Sequence, residues 1–214
     1  MTLLQVQPLL DTWQPASWEE FVCLADDPKS DKLKCYYFNG QMRFEPKSTG
    51  VDHSSDHCLI SFAVSLFIVY QKIVATGLHT CSYRKLGFYE FQPDISYHIG
   101  ENVDLIHRCI GVVNLEQYPQ PDLVIEISDT SLSDDLGIKR LQYEELRISE
   151  YWIVNVQAMK IVAFTIAPDG ATQRIQESRV LPGLRLEILE QALVRSRQET
   201  QSATNAWVMQ QFQR

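Results

Sequence analysis

The pattern of apolar and polar positions divides the chain into alternating elements. SWEE, Ser17 to Glu20, has the spacing of a capping box and predicts a short helix that offers Trp18, Phe21 and Val22 for packing. KCYYFNGQMRFEP holds two β-prone runs about Asn39-Gly40, the dipeptide that favours a tight turn, so an N-terminal β-hairpin is expected. A longer helix follows, capped by Asp52 or Ser54 and reaching about Ala75, and its apolar content predicts packing on a sheet over a broad face. GLHTCSYRKLGFYEFQPDISYHI reads as strands interrupted near Lys85 to Gly87, and Gly100 to Gln120 as a polar, irregular loop. PDLVIEISD, Pro121 to Asp129, has the apolar content of a buried strand. SLSDDLGIKRLQYEELRI then reads as a helix opened by a Ser or Asp cap, and EYWIVNV as another strand. KIVAFTIAPDGATQRIQ predicts a strand, a Pro-Asp-Gly turn and a strand. The Gln-rich tail from about Leu189 to Arg214 reads as helix, with Leu193, Trp207, Val208 and Phe212 along it, and no internal repeat is visible.

Length and composition narrow the class. With 214 residues, 45% of them hydrophobic, and no long Gly, Pro or Ser tract, a single globular domain over residues 1–214 with a sizeable core is expected. The longest apolar runs, such as FAVSLFIVY at Phe62 to Tyr70, fall far short of the ~20 residues a membrane span needs. MTLLQVQPLL carries no basic segment ahead of an apolar run, so a soluble cytoplasmic protein with no membrane partner is expected. The five cysteines, Cys23, Cys35, Cys58, Cys81 and Cys109, are odd in number, far apart and without a C-x-x-C. Buried reduced thiols are expected rather than a disulfide framework or a zinc ribbon. A net charge of -8 makes the whole molecule repel polyanions, so nucleic-acid binding would have to rest on a local basic patch or on bound metal.

The chemistry begins with a carboxylate in the strand pattern of PDLVIEISD. Alternate residues share a face, so Asp122, Val124, Glu126 and Ser128 point one way and Leu123, Ile125 and Ile127 the other. An ionised Glu126 there is costly unless a cation or hydrogen-bond donors compensate it; on a solvent-facing edge it would be ordinary. Lys139 is a candidate partner. It lies three residues after Leu136 and four before Tyr143, on the stripe that Leu146 continues, where the helical pattern asks for an apolar side chain. Snorkelling at the margin of the stripe is the alternative. Asp94, after Pro93 and among Phe91, Ile95 and Tyr97, offers a second carboxylate from a neighbouring strand. Asp122 cannot share a compact site with Glu126, because four residues of strand separate their Cα atoms by ~13 Å. Two carboxylates on adjacent strands plus a lysine suit a hard divalent cation, Mg²⁺ or Mn²⁺, and phosphodiester chemistry.

Pro93-Asp94, then Glu126 in a strand ending EIS, then KRLQYEELRISEYWIVN together resemble the Uma family of endonucleases, common in cyanobacteria and placed in the PD-(D/E)XK restriction-endonuclease-like superfamily. The resemblance covers roughly residues 15 to 190, with Pro121 to Asn155 its most specific block, and leaves a C-terminal helix at about 189–212. It implies an α/β fold with a central mixed sheet flanked by helices, Mg²⁺-dependent hydrolysis of nucleic acid, DNA first among the polymers, and Asp94 and Glu126 as metal ligands. Superfamily members commonly place the lysine two residues after the glutamate, where this chain has Ser128; Lys139 on the following helix is the expected replacement. Glu45 in MRFEP is the candidate for an acidic residue that precedes the core motif, with an exposed hairpin-end carboxylate as the alternative. His53 and His57, at i and i+4 beside Asp52 and Asp56, could start a zinc site with no third ligand specified, and His53 could instead touch water or phosphate at the mouth of the site. His79, His98 and His107 receive no role. Arg84, Lys85 and Arg140 are the basic candidates for phosphate contact. The apolar groups of the tail predict packing on its own domain or on a second copy, as in a homodimer. A non-catalytic binding protein of the same fold is the alternative function, favoured by the acidic balance.

Overall fold

A computed structural model describes residues 9–47, 50–105 and 111–213, so His107, Cys109 and part of the expected 100–120 loop lie outside the described residues. The chain divides into two compact units. One comprises the described residues of Met1–Ser48, Ser82–Gln92 and Cys109–Tyr118; the other comprises those of Thr49–Cys81, Pro93–Arg108 and Pro119–Arg214.

In the first unit a six-stranded sheet runs in the order β1 (Gln14–Pro15), β3 (Gln41–Pro46), β2 (Leu33–Phe38), β6 (Tyr89–Phe91), β5 (Tyr83–Lys85), β8 (Val113–Asn114), with β5 and β8 parallel and the other pairs antiparallel. The expected hairpin joins β2 to β3. Asn39 and Gly40 both take positive φ, 49° and 70°, as the turn that matches strand twist requires. Helix α1 (Trp18–Ala25) begins with the expected capping box: Ser17 Oγ accepts from Glu20 N at 3.2 Å, and Glu20 Oε2 accepts from Ser17 N at 2.8 Å. It buries Phe21 against Cys35, Tyr37, Met42 and Phe44. The alternate residues Lys34, Tyr36, Arg43 and Glu45 occupy the other face of the hairpin and are also buried.

The second unit is built on a mixed six-stranded sheet, β12 (Thr172–Ile175), β11 (Lys160–Ile166), β10 (Glu150–Asn155), β9 (Leu123–Ser128), β7 (Ile95–Ile99), β4 (Ala75–His79). β9 lies inside the sheet, parallel to β10 and antiparallel to β7. One face presents Ile95, Tyr97, Leu123, Ile125, Ile127, Trp152, Val154 and Ala163 to helices α2 (Val51–Gln71), α5 (Leu186–Ser196) and α6 (Gln201–Phe212). Each large apolar side chain fully buried there contributes about 1.5–3 kcal/mol. With that core carrying stability, the opposite face can hold polar groups, and the short helices α3 (Leu132–Asp135) and α4 (Ile138–Glu145) contact it through Asp135 and Tyr143.

Several elements depart from the expected pattern. α2 starts after Gly50, with Asp52 and Ser54 inside the helix, and ends at Gln71, where Lys72 turns left-handed; Ala75 opens β4. The helix expected over 131–148 breaks at Gly137, where a Cβ would stand 2.8 Å from the Ser133 carbonyl oxygen. The tail is two helices, the second capped by Thr200 Oγ1 accepting from Ala203 N at 3.4 Å. Within the expected loop stand a 3-10 turn at Gly100–Leu105 and the short strand β8. Of the described cysteines Cys35 is buried, its thiol pushed up to about 12 mainly by burial, whereas Cys23 and Cys58 are exposed. No described helix is long and apolar enough to cross a membrane.

Candidate functional site

Glu126 is 2% exposed, and as β9 is an interior strand it is no edge residue. Antiparallel pairing sets Ile95 opposite Ile125, so Asp94, one residue before β7, meets Glu126 across the ladder. The contacts are reciprocal: Asp94 N donates to Glu126 Oε2 at 3.4 Å, and Ile127 N donates to Asp94 Oδ2 at 2.8 Å. Asp94 is 3% exposed. Asp122, at the far end of β9, accepts from Ile99 N through Oδ2 at 2.7 Å and ties the two strands together there.

The α3–α4 pair supplies the groups on that polar face. Tyr143 Oη donates to Glu126 Oε1 at 2.7 Å. Lys139 is 1% exposed, so its ammonium does not snorkel to water. It lies 3.1 Å from Asp135 Oδ1 and 3.9 Å from Asp134 Oδ2. Asp135 is itself fixed, accepting from Ser131 Oγ at 2.6 Å, while its carbonyl accepts from Tyr151 Oη at 3.0 Å. Burial, reinforced by the charges of Asp135 and Glu126, drives the Tyr151 phenol well above its ordinary range, which keeps it a donor. The break at Gly137 leaves Leu136 outside α4 and partly exposed, so the buried stripe is Lys139, Gln142, Tyr143 and Leu146. Ser128, two residues after Glu126, is buried, and its hydroxyl makes no hydrogen bond among the described residues.

Histidines flank Asp94 on the α2 side. His53 Nε2 lies 3.5 Å from Asp94 Oδ2, and His57 Nε2 lies 3.1 Å from the Asp94 carbonyl oxygen. The His57 ring also meets His79 edge-on at 4.9 Å. Among the described residues no group of three or more His, Cys, Asp or Glu side chains is arranged to hold a metal, so the His53–His57 pair gains no zinc partner. Arg140 pairs with Glu144 at 3.2 Å and lies over the Phe164 ring. Glu45, Arg84 and Lys85 belong to the first unit. Glu45 is buried rather than exposed and accepts from Arg43 Nε at 2.7 Å. Arg84 is engaged by Asp26 at 2.7 Å and by Glu90; although burial disfavours its charge, these hydrogen bonds hold the guanidinium above its usual value. Lys85 is exposed.

Sequence reasoning missed Tyr143 as a donor to Glu126, having counted it as an apolar stripe residue, and Asp135 as the neighbour of Lys139. The second was legible in principle, because Asp135 stands four residues before Lys139. It also gave no role to His79. The donor set suits a hard cation. Three buried carboxyl groups, those of Asp94, Glu126 and Asp135, accompany one buried lysine on this face. Mg²⁺ is typically held by one or two carboxylates and keeps several of its waters, so a three-donor protein cage is not required.

Residues 18–200 match the model of the Uma2 family, described as "Putative restriction endonuclease". Among solved structures, a putative nuclease belonging to DUF820 from Anabaena variabilis ATCC 29413 is similar in fold, with a TM-score of 0.55 and 19% identity over 84% of this chain and 99% of that chain. No curated protein gives a significant match.

Proposed function

The chain belongs to the Uma2 family, and from that premise we propose that it is a divalent-metal-dependent endonuclease, with Asp94 and Glu126 as metal ligands and Lys139 serving from the following helix. The observation that carries this reading is the cross-strand pair of buried carboxylates, tied by reciprocal backbone contacts and held by Tyr143 from the helix that also carries the buried Lys139. When bound, Mg²⁺ or Mn²⁺ supplies a Lewis acid for phosphoryl oxygens and a source of nucleophilic water near neutral pH. Tyr143 holds one oxygen of Glu126 by donation, which fixes the carboxylate's orientation. Ile127 N does the same for Asp94 Oδ2. Lys139, held beside Asp135, brings a positive charge to offset the negative charge that develops on a phosphodiester under attack. His53, beside Asp94, would serve as a contact for a phosphate oxygen or water. The substrate is nucleic acid, DNA in the first instance.

The test is a cleavage screen on single- and double-stranded DNA and RNA with Mg²⁺ or Mn²⁺. Metal-dependent cleavage by the wild type that Glu126→Ala abolishes is the expected result. Cleavage that survives Glu126→Ala, or no cleavage of any polymer, would defeat the assignment. The second outcome would favour a non-catalytic binding role for the same fold.

A further inference from the structure

The turn between β5 and β6 leaves two large apolar side chains in solvent: Leu86 is 50% exposed and Phe88 59%. The turn is tight, with Phe88 N donating to the Lys85 carbonyl at 3.0 Å and Gly87 at φ 78°. Lys85 Nζ lies 5.4 Å from the centre of the Phe88 ring. Phe88 also ends a row of rings: it meets Tyr89 at 6.1 Å, and Tyr89 stacks on the buried Phe38 at 6.1 Å and 28°. A single exposed Phe is ordinary on a protein surface. An aromatic row that runs from the core to a hairpin tip ends in an exposed ring with the Lys85 ammonium over it, and a base that takes the ammonium's place on the ring leaves that cation beside its phosphate.

We propose that this tip, Lys85 to Phe88, binds unpaired bases of single-stranded nucleic acid, one base stacking on Phe88 with Lys85 at its phosphate. The proposal rests on the nuclease reading above and adds to it a substrate feature, a single-stranded segment. Two physical reasons select that occupant. A chain with net charge -8 gains nothing from bulk attraction to a polyanion, whereas base stacking does not depend on net charge. In a duplex the base faces are already stacked on each other, so only an unstacked base can offer its face to Phe88.

The test uses the full chain, a chelator to hold cleavage off, and fluorescein-labelled single-stranded and duplex oligonucleotides of one sequence, read by anisotropy. Phe88→Ala is expected to weaken single-strand binding about tenfold and to leave duplex binding within about twofold. Phe88→Trp should restore single-strand binding. The salt dependence should be unchanged by Phe88→Ala and should fall by about 0.7 in slope with Lys85→Gln. Equal thermal midpoints show that the fold is intact. If Phe88→Ala binds single strands as the wild type does while the wild type cleaves, the tip proposal falls and the nuclease reading stands. If the wild type neither binds nor cleaves any polymer, both fall. If sedimentation shows that Phe88→Ala dissociates a dimer, the tip is a self-association surface and the proposal is overturned.

Discussion

Lys139 carries the sharpest consequences of any one residue. Its ammonium is buried and 3.1 Å from a fully buried Asp135, so removing the charge leaves carboxylates behind in a place without water. Lys139→Met is expected to lower stability by ~3–5 kcal/mol, as breaking a buried pair does, and to abolish metal-dependent cleavage. Adding Asp135→Asn should recover much of the stability without the activity. A Lys139→Met variant with wild-type urea unfolding would refute the buried-pair account, and one that also cleaved normally would remove the lysine from the chemistry. His98 acts through pH instead. Burial pushes its imidazole down to about 4, below the ~6.5 of an unfolded chain. The unfolded state therefore binds the proton first, so His98's contribution to stability is complete above about pH 6.5 and is lost as pH falls toward 4, to at most about 3 kcal/mol. His98→Gln should flatten unfolding free energy across that window, and an unchanged slope would count against it.

The decisive element is the α3–α4 break. Gly137 permits it, because a Cβ there would press on the Ser133 carbonyl oxygen at 2.8 Å, and backbone cannot yield as a side-chain tip can. Lys139 and Tyr143, one turn apart on α4, are buried together, while the break leaves Leu136 outside that helix and exposed. Gly137→Ala is expected to cost about 1–3 kcal/mol in urea unfolding and to depress cleavage more than the stability loss explains, since both side chains ride on α4. Unaltered cleavage in that variant would show that the break does not position them.

Across the whole molecule, Arg197 grips the fully buried Asp56 through two hydrogen bonds of 2.6 and 2.7 Å and donates to the Val156 carbonyl, joining α2 to the segment between α5 and α6. The tail's apolar groups pack on the same unit, with Val208 fully buried and Phe212 against Phe67 at 5.2 Å, so they no longer argue for a second copy. Each unit is assembled from three separate stretches of the chain, so neither is continuous in sequence. We therefore expect one cooperative transition in calorimetry, as for a single domain; two resolved transitions would show that the units fold separately. Mg²⁺ or Mn²⁺ should raise that transition in the wild type, because a cation relieves the repulsion of opposed carboxylates. An equal rise in Asp94→Asn/Glu126→Gln would place the metal elsewhere.

Local chemistry already determined a good deal. Asn39-Gly40 required its turn, Ser17 and Glu20 their cap, and the Val, Ile and Leu of Pro121 to Asp129 their strand, since each depends on residues a few positions apart. The oddness of Glu126 and Lys139 was likewise visible, because a charge interrupting an apolar period is a local fact. What periodicity could not supply was partnership. Whether Glu126 stood on an edge or inside the sheet depended on β7, whose register brings Asp94 from 32 residues away. The neighbours of Lys139 depended on a helix break at Gly137, where the close approach of the Ser133 carbonyl leaves no room for a Cβ. That Glu45 and Arg84 are held by Arg43, Asp26 and Glu90 depended on strand pairing and side-chain packing. Long-range register and close packing are properties of the assembled chain, and these decided which charged residues share a site.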